Sequence, residues 1–213
     1  MNTKENFVYH SSKIQGLRVI EPHFGTHNKC WVYATKEIAT AAMFLGDNDD
    51  LICQIYSNKN GVPFICERFE GALDLAYKNK TGSIYILSGK NFKKGQTTWP
   101  DEVVSEYPEQ VLKEIVVNNA EDMLRKLESE GKILIYMFPN TPPNVQPSDK
   151  SDVIQRGITW TINFGEDTLD EIEKYHPDVL PRVLNGLKEQ NYKFKTKKWV
   201  KLSKKNDIST TIS

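Results

Sequence analysis

His10 and Ser11 stand on a short apolar run, Phe7-Val8-Tyr9, where an imidazole can donate or accept a hydrogen bond. Tyr33 and Phe44 are eleven residues apart, Tyr33 in an apolar run and Phe44 near the end of the following small-residue segment. Aromatic rings offer apolar area and a face for stacking on a flat group. Glu102 opens the run Glu102-Val103-Val104-Ser105, and a carboxylate at such a position can stabilise a developing cation. Glu106, four residues on, shares its face if the strand continues and is the reserve carboxylate.

Other chemistries have weaker footing in the sequence. His23 and His27 are four apart like a metal pair, but Phe24-Gly25-Thr26 between them reads as a turn, and no third ligand stands near. They are expected to be loop histidines, with a place beside a bound ligand open to them. Cys30, Cys53 and Cys66 form no Cys-x-x-Cys pair and are expected to be reduced thiols. Glycines are too scattered to cradle a phosphate, and no Ser/His/Asp or Cys/His pattern supports a covalent hydrolase. No metal is expected.

Lysine plus arginine equals aspartate plus glutamate at 28 each, so no global field points to a polyanionic partner. With 38% hydrophobic residues, the 213-residue chain can bury a core. No apolar stretch approaches the 18 or so residues of a membrane span, so a cytoplasmic location and no membrane partner are expected.

Positioning the candidates falls to a series of short strands. Phe7 to Ser12, Trp31 to Thr35, Cys53 to Tyr56, Val62 to Cys66, Ile84 to Leu87, Glu102 to Ser105, Val111 to Val117 and Ile133 to Phe138 read as strands. Asn60-Gly61 suits a hairpin turn between the third and fourth of these. Thr35 is expected to cap a helix carrying Ile38, Ala41, Ala42 and Leu45, and Asn119 and Gly131 to bracket another from Ala120 to Glu130. Many strands with few helices, not strictly alternating, predict an α+β fold. After Phe138 the texture changes at Pro139-Asn140-Thr141-Pro142-Pro143, and the polar stretch through Asp152 reads as a linker. Two parts are expected, residues 1–141 and a smaller C-terminal segment, 142–213. The latter should hold a strand-like run from Ile158 to Phe164 and two helices, Thr168 to Lys174 and Pro177 to Glu189. In its end, Lys193 to Lys201, lysines interleave with aromatics as in a solvated edge strand or a phosphate-tracking surface.

Val8-Tyr9-His10-Ser11-Ser12, Trp31 to Thr35 running on to Phe44, and Asp101 to Glu106 together resemble the three-part NAD signature of the ADP-ribosyltransferase and poly(ADP-ribose) polymerase superfamily, including its compact bacterial members. Ser11 stands where the family has glycine, and Phe44 replaces its second tyrosine. Gln110-Val111 follows Glu102 at the polymerases' interval, whereas Glu102 and Glu106 lack the two-residue acidic spacing of arginine-modifying members. The resemblance covers roughly residues 7 to 117. It implies an ADP-ribosyltransferase-like fold of split antiparallel and mixed sheets with flanking helices. It implies NAD as substrate, contacts from His10, Ser11, Tyr33, Thr35 and Phe44, and Glu102 promoting loss of nicotinamide. ADP-ribose would pass to an unknown protein or nucleic-acid acceptor, a small molecule or water. Two alternatives stay open: an NAD-dependent RNA 2'-phosphotransferase-like enzyme using the lysine-rich end, and a non-catalytic binding module on the same fold.

Overall fold

The computed structural model describes residues 6–25, 29–97, 99–143 and 150–209. They fall into two compact units, one from the chain through Asp49 with Cys53–Phe138, the other from Asp50–Ile52 with the chain from Pro139. The first is mixed α+β. In chain order it runs β1 (Phe7–Ser12), β2 (Val19–Ile20), β3 (His23–Phe24), β4 (Cys30–Thr35), α1 (Ile38–Met43), β5 (Cys53–Ser57), β6 (Pro63–Glu67), α2 (Ala72–Tyr77), β7 (Gly82–Ser88), β8 (Lys93–Lys94), β9 (Glu102–Ser105), β10 (Glu109–Val117), α3 (Ala120–Ser129) and β11 (Leu134–Tyr136).

The large sheet is antiparallel, ordered β2-β10-β7-β1-β4-β9-β8 with β3 added to β4. The small one is mixed, because β6 pairs antiparallel with β5 and parallel with β11. Alternation along the strands gives the large sheet two different faces. Val8, Val32, Ala34, Tyr85, Leu87 and Val103 cluster on one. The register places Tyr9, Thr35 and Glu102 in a row on the other. Small residues let α1 pack closely, and Ala39, Ala41 and Ala42 are all buried.

Several local expectations change. Thr35 does not cap α1: its hydroxyl donates to the Glu37 carbonyl at 2.9 Å, and Glu37 in extended conformation is the N-cap. Leu45 falls beyond the helix end. The expected strand from Ile133 to Phe138 shortens to three residues, and α2 was not anticipated. Asn119 does cap α3, accepting from the Glu121 N–H at 3.3 Å.

The second unit is helical: α4 (Ser151–Phe164), α5 (Asp167–Tyr175), α6 (Leu180–Glu189) and α7 (Lys197–Ser209). Here the strand expected at Ile158 to Phe164 is corrected to the last half of α4. Val153, Ile154, Gly157, Ile158 and Thr161 recur three and four apart and are buried. That helical face outweighs the strand preference of the β-branched residues. The lysine-rich end is no edge strand either, since α7 begins at Lys197 and turns Trp199, 1% exposed, into the core. Part of the expected linker is helix, because α4 starts at Ser151. Among the described residues no helix is long and apolar enough to cross a membrane.

Candidate functional site

The ladder between β1 and β4 holds at one pair, Tyr9↔Thr35. Asn6 gives its carbonyl to the Gly89 N–H, on the β7 side, so alternation aims the peptide groups of Tyr9 and Ser11 toward β4. Tyr9 meets Thr35 there. At the next position the His10 ring intervenes, with Nδ1 2.7 Å from the Tyr33 carbonyl oxygen. A carbonyl only accepts, so Nδ1 donates and Nε2 of the neutral ring is left as an acceptor. Burial, the larger influence, pushes the His10 pKa down; the bond to Tyr33 opposes this and neighbouring His23 adds to it.

A cavity of about 600 Å³ opens where these strands part, within the usual size range of small-molecule sites. His10, Ser11, Tyr33, Thr35, Phe44 and Glu102 all line it. These residues come from three separated fragments, and the sheet brings them together through two adjacent ladders. Thr35 stands opposite Tyr9 on one side and opposite Glu102 on the other.

The backbone entering β9 at Glu102 is anchored by two hydrogen bonds. The Glu102 N–H donates to the Trp99 carbonyl at 3.2 Å, and the preceding Asp101 carboxylate accepts from the Ser57 hydroxyl at 3.0 Å. Glu106, the reserve carboxylate, follows the end of β9 at Ser105; it is exposed, lies 3.6 Å from Lys93 Nζ and is not among the residues lining the cavity.

The rings occupy different settings. Tyr33 is half-buried, 5.6 Å from the His23 ring and 6.1 Å from Trp31. A Cβ on Gly25 would stand 2.5 Å from its hydroxyl, so any larger residue there would push the phenol aside. Phe44 is 46% exposed and meets Trp99 nearly edge-on at 5.1 Å.

No family model, curated protein or solved structure matches the chain. Sequence reasoning missed Tyr9, Glu21 and Gly25 as cavity residues. Gly25 carried a signal, as a glycine in the turn before the Tyr33 strand, but the partner it makes room for was invisible. His23 is in β3 and lines the cavity, while His27 lies outside the described residues. Among the described residues no group of three His, Cys, Asp or Glu side chains is placed to hold a metal. Cys53 and Cys66 are buried and Cys30 exposed, all as free thiols.

Proposed function

We propose that this chain is an ADP-ribosyltransferase-type enzyme on an ADP-ribosyltransferase-like α+β fold, binding NAD in the cavity and breaking its nicotinamide–ribose bond. The observation that carries the reading is convergence. Six residues selected from three separate fragments line one cavity, and Glu102 sits across a ladder from the strand carrying Tyr33.

In this reading Tyr33 and Phe44 supply ring surface for nicotinamide, and the Ser11 peptide, aimed at the gap between β1 and β4, meets its carboxamide. His10 Nε2 accepts from a ribose hydroxyl. The glycosidic electron pair leaves with the nicotinamide nitrogen, and Glu102 stabilises the positive charge that develops on the sugar. The acceptor's lone pair then forms the new bond to that carbon, and the acceptor gives up its proton. The acceptor is a protein or nucleic-acid group, a small molecule or water.

Nicotinamide release from NAD by purified protein tests this, with Glu102→Gln and Tyr33→Ala in parallel and with RNA, DNA or cell lysate as acceptor sources. Glu102→Gln should lower release about 10²- to 10³-fold while NAD still binds, the loss typical of removing a group that acts on the transition state. Tyr33→Ala should weaken binding itself. Binding without release in the unaltered protein under every condition would select a binding module; neither binding nor release would sink the NAD reading.

A further inference from the structure

The charge in the cavity is distributed unevenly. Its lining holds two carboxylates, Glu21 and Glu102, and two imidazoles, His10 and His23, but among the described residues no lysine or arginine. Glu102 and the segment bearing Glu21 approach β4 at different points. Glu102 pairs with Thr35 on β4, whereas His23, two residues after Glu21, pairs with Trp31 on the same strand. Along β4 the residues opposite Glu102 and His23 are four positions, about 13 Å, apart. One ligand spanning them must be elongated, with different groups at its ends.

Resting on the NAD reading above, we infer that Glu21 is a specificity-determining residue that selects NAD over NADP. With nicotinamide at the Glu102 end, the adenosine half extends toward His10, His23 and Glu21. The adenosine ribose presents two hydroxyl donors, and an ionised carboxylate is an acceptor only, so Glu21 suits a free 2'-hydroxyl. NADP carries a phosphate at that oxygen, which removes the donor and adds nearly two negative charges. Among the described residues no lysine or arginine lines the cavity to offset them. The diphosphate is common to both dinucleotides and cancels in the comparison, whereas a further phosphate beside Glu21 meets a like charge directly.

The test is equilibrium binding of NAD and NADP to the unaltered protein, Glu21→Gln and Glu21→Lys, with Glu102→Gln included to prevent turnover. NAD should bind about tenfold or more tightly than NADP to the unaltered Glu21 form, the effect of roughly one like-charge contact near a surface. Glu21→Gln should bring the two affinities within a few-fold of each other, and Glu21→Lys should favour NADP. A purely structural role would move both affinities together and leave their ratio unchanged, which would overturn the inference. Equal affinity for both dinucleotides in the unaltered protein would also overturn it, leaving the NAD reading intact. No binding of either dinucleotide would overturn that reading and this inference with it.

Discussion

His10 works through its tautomer. Because Nδ1 donates to the Tyr33 carbonyl, Nε2 can accept from a ligand only while the ring is neutral. Burial pulls its pKa below 6.5, and the nearby His23 pulls the same way. The ring is therefore predominantly neutral at physiological pH. NAD affinity should be flat above neutrality and fall as pH drops below 6.5 toward the lowered His10 value, since protonation removes the acceptor. The folded state disfavours this proton, so the His10 contribution to stability is present above 6.5 and declines as pH falls from there toward the folded pKa. Replacing His10 by asparagine should flatten the acid limb of the NAD affinity profile and lower affinity about tenfold at neutral pH, through loss of one buried hydrogen bond. An unchanged pH profile in that variant would show that another group carries the titration.

At the scale of elements, the connection between β1 and β2 forms part of the cavity wall through Leu17, and one glutamate on β10 holds it. Glu114 accepts from the Gly16 N–H at 2.8 Å and from the Ser83 hydroxyl at 2.6 Å. The Tyr85 hydroxyl ties the same connection, donating to the Ile14 carbonyl at 2.8 Å and accepting from the Leu17 N–H at 3.2 Å. The Gly16 bond first, then Ser83, lowers the Glu114 pKa below 4.5. A lowered carboxylate stabilises the fold fully above its unfolded pKa and loses that contribution as pH falls through the folded one. Amide exchange in residues 13–18 should therefore accelerate below about pH 4, and Glu114→Gln should make it fast already at neutral pH. Protection that stays constant in the variant would assign the hold to Tyr85 instead.

None of that wall was legible in the sequence. Glu114 is one acidic residue in an alternating strand, and its partners lie 98 and 31 positions away. The strands bearing Tyr33 and Glu102 were legible because continuous apolar runs with clear ends mark them, as was Asn60-Gly61 between β5 and β6, where Gly61 adopts φ 77°. The helical end was misread where a window opened in the middle of α4 and β-branched residues outvoted the three-and-four spacing. Glu21 and Tyr9 gave no local sign of facing a cavity, because their place depends on where β1 and β4 separate.

For the molecule as a whole, chain order and unit membership part company at Asp50–Ile52. Leu51 is fully buried in the core of the helical unit with Val153, Leu169, Ile172, Val183, Leu187 and Trp199. Its carbonyl accepts from His176 Nε2 at 2.6 Å, and Asp50 takes a two-nitrogen grip from Arg156, at 3.0 Å from Nε and 2.8 Å from the second nitrogen. A core that needs a leucine from 88 positions before Pro139 (139 − 51) cannot be completed by the C-terminal sequence alone. Leu51→Ala should destabilise the helical unit by about 2–5 kcal/mol, the transfer cost of the lost side chain plus the cavity left behind. That loss is large against the stability of a unit this size. Residues 139–213 expressed alone should then show weak helical circular dichroism, and a peptide covering residues 47–54 should restore part of it, with a midpoint that depends on peptide concentration. Full helicity in the isolated fragment, with no response to the peptide, would mean that Leu51 fills a space the four helices can close without it.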